Sequence, residues 1–178
     1  MKYLDLFLVL SFTALVCTSC NPAQEQQPEP LDQTQEAARI HQLMDGWHQA
    51  AAQADEEVFF GNMSDSAIYL GTDKSERWLR DELRSWSARF FERDTAWAFT
   101  PYDRELYFSD TGRTVWFEEL LETWMGPCRG SGVLTWAEGQ WKIQHYNLAM
   151  LIDNEDVSEV LEIIQQPDVR PDSLPGSQ

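Results

Sequence analysis

The feature that most constrains this chain is a change in the spacing of its apolar residues near position 94. Before it the spacing is largely helical. "EAARIHQLMDGWHQAAAQAD", residues 36–55, puts Ile40, Leu43, Met44, Trp47, Ala50, Ala51 and Ala54 on one wide stripe. "EEVFFGNM" predicts a second, short helix with Val58 and Phe59 as its core contacts. "SAIYLG" is a short strand from Ser66 ended by Gly71, and "GTDKSERW" is a loop. "LRDELRSWSARFFER" predicts a third helix with Leu79, Leu83, Trp86 and Phe90 on one face. From Thr95 the period is two. "TAWAFTPYDRELYF", "RTVWFEELLETWM", "SGVLTWA" and "WKIQHYNLAML" read as strands, separated by the turn signals "SDTG" and "EGQ" and by a glycine-rich bend. "DNEDVSEVLEIIQQ" opens with capping residues and closes the chain's folded part as a helix. Helices first and an antiparallel meander second mean an α+β fold, with the helices packed on one face of a curved sheet.

The two ends have a different character. "MKYLDLFLVLSFTALVCTSC" carries Lys2 and then an apolar run too short to span a bilayer comfortably. Thr18 and Ser19 then precede Cys20. The segment resembles a bacterial lipoprotein signal, in which cleavage exposes a cysteine for lipidation. It departs from that pattern at Cys17, where leucine is usual, and at Asp5, a charge inside the apolar run. "NPAQEQQPEPLDQTQ" is rich in Pro, Gln and Glu, as a tether is. The expected organisation is a signal over 1–20 ending at a lipidated Cys20, a linker over 21–35, one domain over 36–166 and a loose tail over 167–178. An acyl anchor would supply the only membrane affinity and place the domain in the cell envelope, facing the periplasm.

Charge narrows the partners. The 178 residues hold 30 Asp and Glu against 13 Lys and Arg, a formal net charge of -17. Nucleic acid needs a basic patch, and so does direct binding to an anionic membrane; neither partner is expected. The three cysteines provide no disulfide framework and no zinc spacing. His41 and His48 lie seven apart on the first helix without a third ligand, so no metal and no cofactor is expected.

"ETWMGPCRGSG", residues 122–132, contains a cysteine, an arginine and three glycines. A phosphate cradle needs its glycines to feed a helix, and here they feed a strand. A nucleophilic cysteine needs a base or cation beside it, and Arg129 points to the opposite face from Cys128. The stretch therefore reads as a strand bend, with its turn near Gly126 to Cys128 and Cys128 as a small packed residue.

The order of "MDGWHQAAAQAD", "SDSAIYLGTD", "TVWFEELLETW", "CRGSGVL" and "GQWKIQHYNLAM" resembles the nuclear transport factor 2-like superfamily, in its SnoaL-like branch. The resemblance covers nearly the whole folded part. It implies a cone-shaped fold in which a strongly curved, mainly antiparallel sheet wraps about three N-terminal helices, followed by a short C-terminal helix. It also implies an internal cavity and, for many members, a homodimer formed through the sheet. Members include isomerases, dehydratases and cyclases, and many that only bind, so the fold alone gives no function.

Strand parity supplies the site candidates. On the last strand Trp141, Ile143, His145, Asn147 and Ala149 share the face expected inside. On the strand before it, Arg129, Ser131, Val133 and Thr135 are placed inward by analogy. Of the two faces of "TVWFEELLETW", the one with Val115, Phe117, Glu119, Leu121 and Thr123 carries fewer acids and is expected inside. The result is an aromatic-walled pocket with Arg129 and Asn147 as ligand-binding groups, closed by Tyr69 and Trp78. Glu119 and His145 are the candidate catalytic pair. Each has a plainer alternative: His145 as a core histidine, Glu119 and Arg129 as a cross-strand ion pair. Trp47, Trp86 and Trp97 read as core, and Asp73 and Glu76 as loop-capping acids.

Three functions are open on these residues. The first is binding of a small, partly apolar molecule, the second an isomerase, dehydratase or cyclase using a Glu, His and Arg pocket. The third is a dimerisation or assembly domain whose cavity is filled by its own side chains.

Overall fold

The computed structural model describes residues 31–165. The expectations placed on the signal, on Cys20, on the first part of the linker and on the 167–178 tail lie outside the described residues.

Helix α1 spans Gln33–Ala52 and α2 spans Glu56–Gly61. Strand β1 is Met63–Leu70, β2 is Arg77–Leu79, and α3 is Arg80–Phe91. Strands β3 (Thr100–Phe108), β4 (Thr114–Thr123), β5 (Gly126–Ala137) and β6 (Gln140–Met150) follow, and α4 (Val157–Gln165) ends the described chain. Helix α1 starts inside the expected linker because Asp32 caps it, its carboxylate accepting from the backbone N–H of Thr34 at 3.0 Å and of Gln35 at 3.3 Å. Asp55 caps α2 in the same way, through the N–H of Val58.

The six strands form one curved, open sheet in the order β2-β1-β6-β5-β4-β3. All neighbours are antiparallel except β1 and β6, which run parallel. Helices α1 to α3 pack on it, as the sequence predicts for an α+β chain, and the core fills the space between. Ile40, Met44, Trp47 and Phe59 from the helices meet Val115, Phe117, Leu121, Leu134, Ile143 and Tyr146 from the sheet. Trp47 anchors it, stacked on Phe59 at 4.7 Å and edge-on to Tyr146 at 4.7 Å. No described helix is long and apolar enough to cross a membrane.

Hairpin chemistry sets the meander. Between β5 and β6 the loop is Glu138 and Gly139, both with positive φ (52° and 81°), the geometry that matches strand twist in a two-residue loop. Between β4 and β5 the loop is Trp124 and Met125, since Thr123 already pairs with Gly126. The turn thus lies just before the bend expected at Gly126 to Cys128, and β5 is longer than expected. Gly126 takes φ 90° there.

Two irregularities decide which side chains face the core. In β6, Ile143 pairs with Leu134 and His145 with Val133, so Gln144 is an extra residue. Gln144 is held by Ser64 Oγ, which donates to its Oε1 at 2.8 Å, and by its own Nε2, which donates to Ser66 Oγ at 3.0 Å. In β3, Tyr102 pairs with Leu120 and Glu105 with Glu118, again one residue too many, with Asp103 at φ 47°.

The β6 bulge corrects the expected parity. Trp141 and Ile143 face the core, but beyond the bulge the inward residues are Tyr146 and Leu148. His145 and Asn147 alternate with them and belong to the other face. On β5 the inward residues are Cys128, Gly130, Gly132 and Leu134, and Arg129 is exposed on the outer face. The inward choice for β4 holds: Val115, Phe117, Glu119 and Leu121 are buried.

Candidate functional site

Two polar features stand out from the apolar interior: a sealed cluster around Glu119 and an aromatic cavity at one end of the sheet.

Glu119, at mid-β4, is 1 % exposed. Its Oε1 accepts from His48 Nε2 at 2.7 Å and from the Tyr146 hydroxyl at 3.0 Å. Its Oε2 accepts from Arg104 Nε at 2.7 Å. Arg104 Nη1 continues to Asp45 Oδ1 at 2.9 Å and to the His41 carbonyl at 3.2 Å. Burial by itself pushes the Glu119 carboxyl up. The hydrogen bond and charge of His48, together with Arg104, outweigh it and hold the group below the ordinary carboxylate value. Glu119 is therefore an anion, and His48 Nε2 must be the donor toward it. Burial, reinforced by the Glu119 charge and by Tyr69, pushes the Tyr146 hydroxyl well up, so it stays a donor.

The cluster is assembled by backbone irregularity. The β6 bulge turns Tyr146 inward and the β3 bulge sets Arg104 opposite Glu119. Gly130 faces both: a Cβ there would sit on the Tyr146 hydroxyl and 2.9 Å from Glu119 Oε1. His48 comes from the inward stripe of α1, one turn after Met44 and beside Trp47. Arg104, His48 and Tyr146 are the members sequence reasoning missed. His48 carried a signal, its place on the apolar stripe, whereas Arg104 carried none, because the extra residue that positions it breaks the period.

The cavity encloses about 390 Å³. Tyr69 of β1 and Leu148 of β6 form its sheet side. Thr72 and Glu76 come from the β1–β2 loop, Trp78 from β2, and Leu83, Trp86 and Phe90 from α3. Arg93, Trp97 and Phe99 follow α3, and Trp124 and Met125 are the β4–β5 hairpin tip. Four tryptophans thus line one space. Trp78 and Trp86 meet at 4.7 Å between ring centres, and Tyr69 lies 6.3 Å from Trp78. Tyr69 also stacks on Tyr146 at 5.5 Å, so one ring borders both the cavity and the sealed cluster. Tyr69 is only 7 % exposed, yet its hydroxyl has no hydrogen-bond partner among the described residues. Burial first, then the nearby Glu76 carboxylate and Cys128, pushes this hydroxyl up, so it is a donor at neutral pH.

Of the expected site residues, Tyr69 and Trp78 line the cavity together. Glu119 is buried beside it but fully engaged. His145, Asn147 and Arg129 are not brought to it: the β6 bulge and the glycine face of β5 turn all three away. Trp97, expected as core, packs on the core at Phe59 and also lines the cavity. Trp86, expected as core, lines the cavity and is exposed, and Glu76, expected as a capping acid, lines it too. Glu76 also caps, accepting from the Asp73 N–H at 3.2 Å. Cys128 is buried, with its Sγ 3.5 Å from Thr123 Oγ1. A second cleft of about 290 Å³, apart from the aromatic cavity, is lined by His41, Asp45, Pro101, Tyr102 and Arg104 and so borders the outer end of the Glu119 cluster. No group of three or more His, Cys, Asp or Glu able to hold a metal ion occurs among the described residues.

Solved structures share this architecture. A nuclear transport factor 2-like protein of unknown function from Pseudomonas putida aligns with a TM-score of 0.54 and 15 % identity, over 68 % of this chain and 91 % of its own. Two Novosphingobium aromaticivorans proteins are similar. One, provisionally named an aromatic ring hydroxylase, has a TM-score of 0.55 and 14 % identity over 67 % of this chain and 91 % of its own. The other, provisionally named a scytalone dehydratase, has a TM-score of 0.56 and 10 % identity over 68 % and 88 %. At these identities the likeness is one of fold. No curated protein sequence matches the chain significantly. The SnoaL-like domain profile matches residues 40–153, more than half of the chain, with the whole sheet, α2, α3 and most of α1, and the chain belongs to that family.

Proposed function

We propose that this chain is a small-molecule binding domain that takes a flat, partly apolar ligand in its aromatic cavity. The observation that carries the reading is the Tyr69 hydroxyl, which has no partner among the described residues and faces a cavity walled by tryptophans. A donor open to the cavity and unused by the protein is available to a ligand acceptor, and a hydrogen bond made there contributes about 0.5–1.5 kcal/mol. Apolar walls with a few placed polar groups are the general form of a ligand site, and about 390 Å³ suits a one- to three-ring molecule. The domain would be held at the cell envelope by a lipid on Cys20, facing the periplasm, with residues 21–30 as tether. Support for this part lies in the signal-like residues 1–20.

A second reading is catalytic. Tyr69 as hydrogen-bond donor and Glu76 as base border the same space, which is the minimum for proton transfer on a bound ring. One of the two Novosphingobium proteins carries the provisional name of a dehydratase, a reaction that moves protons. Glu119 fits this role poorly, because both of its oxygens are engaged and its carboxyl is held low. An assembly role alone fits poorly too, since the cavity is open rather than filled by the chain's own side chains.

A thermal-shift screen of the protein against planar aromatic alcohols, ketones and acids tests the binding reading. A ligand at roughly a hundred times its dissociation constant adds about 2.7 kcal/mol, which is several degrees in a domain of this size. The shift should vanish in Trp78→Ala. Silence across the panel from a folded protein would sink the reading. Turnover of a hit that stops in Glu76→Gln while binding persists would favour the catalytic one. Incorporation of labelled fatty acid in a bacterial host, lost in Cys20→Ala, tests the anchor.

A further inference from the structure

We infer that the cavity is built for a planar aromatic acid, its ring among the tryptophans and its carboxylate held by Arg93 at the rim. This rests on the binding reading above and names the ligand class.

Helix α3 and the residues just after it carry four arginines, Arg80, Arg84, Arg89 and Arg93. Arg80 pairs with Asp65 and Asp81, and Arg84 pairs with Glu56 and Glu57. Arg89 has no ion-pair partner among the described residues and lies 4.8 Å from the centre of the Phe90 ring, but it does not line the cavity. Arg93 is the one of these four that lines the cavity, and it too has no ion-pair partner among the described residues. Its guanidinium lies 4.8 Å from the centre of the Phe90 ring, a cation–π contact, and no hydrogen bond or ion pair within the described residues occupies its N–H groups. A stacked, unpaired guanidinium beside an aromatic slot is suited to a carboxylate, which it can meet with two parallel hydrogen bonds.

Glu76 sets the orientation. It lines the Gly71 side of the cavity, and its charge is felt by the Tyr69 hydroxyl. A ligand carboxylate would be repelled there, so the acid end must stay with Arg93. The opposite end of the ring then meets Tyr69 as donor and Glu76 as acceptor, which suits a hydroxyl. A cationic ligand would satisfy Glu76 but would pass Arg93 at the mouth, and a neutral ring would leave Arg93 unpaired.

The test is calorimetric titration of the full-length protein with benzoate, cinnamate and 2-naphthoate, each beside its methyl ester, and with 2-naphthylmethylamine as the cationic probe. At least one acid should bind about tenfold or more tighter than its ester, the order expected of a charge-assisted pair. Arg93→Gln should abolish that difference without weakening the ester, and Arg93→Lys should restore part of it. Arg93 is exposed, so neither change should disturb the fold. Esters binding as tightly as acids, or the amine binding best, would overturn the inference and leave the binding cavity standing. No binding by any probe would overturn both.

Discussion

His48 Nε2 lies 2.7 Å from Glu119 Oε1 and joins α1 to β4 across 71 residues of chain. Glu119 is the hub, since Tyr146 and Arg104 use its remaining acceptor sites. Removing one partner of a buried charge pair leaves the other uncompensated, which typically costs about 3–5 kcal/mol. Glu119→Leu should destabilise by about that much in urea unfolding, and Glu119→Gln by less, because an amide oxygen can still accept. A loss under about 1 kcal/mol for Glu119→Leu would mean that the cluster contributes little to stability.

The direction of the Glu119 shift makes a pH prediction. Its folded-state value is depressed below the ordinary carboxylate value. The unfolded chain therefore takes up the proton first as pH falls. The stabilisation is present in full above the unfolded value, near pH 4 to 4.5, and is lost as pH drops through the folded value. Stability of the native chain should fall more steeply below about pH 4 than that of Glu119→Gln. Parallel curves for the two proteins, measured by urea unfolding between pH 3 and 7, would contradict the ionised assignment.

Gly130 should be intolerant of even one methyl group. A Cβ there would collide with the Tyr146 hydroxyl and crowd Glu119. Overpacking of this kind costs about 1–3 kcal/mol. Gly130→Ala should therefore unfold at lower urea, and Tyr146→Phe in the same chain should recover part of the loss by removing the atom struck. Additive losses would place the strain elsewhere.

Fold class was legible because it follows from periodicity, and periodicity survives in one sequence. The site was legible only in part. "WKIQHYNLAM" contains two apolar pairs of opposite parity, Trp141 with Ile143 and Tyr146 with Leu148, and that break is the trace of the Gln144 bulge. Reading one parity through it sends His145 and Asn147 inward and Tyr146 outward. On β5 the inward face carries Gly130 and Gly132, so it lacks the bulk by which a core face is recognised. Its emptiness is the requirement, since Tyr146 and Phe117 occupy the room. Tyr69 and Trp78 were legible as large aromatic residues flanking the loop before α3, although the sequence reads Trp78 in that loop and it lies on β2, paired with Tyr69.

Tyr69→Phe separates cavity chemistry from stability. The hydroxyl has no partner among the described residues, so its removal should change unfolding free energy by no more than about 1 kcal/mol. The same change should weaken a ligand that accepts from it by up to about tenfold. A marked destabilisation would show that the hydroxyl is satisfied within the protein, and the cavity would lose its best-placed donor.

Helix α4 should be dispensable for folding. None of its residues is buried, and Val157, Leu161 and Ile164 repeat at helical spacing on a solvent-exposed stripe. A helix that buries nothing contributes little beyond its own marginal propensity. Truncation after Asp153 should therefore alter the unfolding free energy by less than about 0.5 kcal/mol, at any protein concentration. A larger loss that grows as the protein is concentrated would show the stripe covered by a second molecule in solution, because only an intermolecular contact follows mass action. A larger loss independent of concentration would place α4 against its own domain.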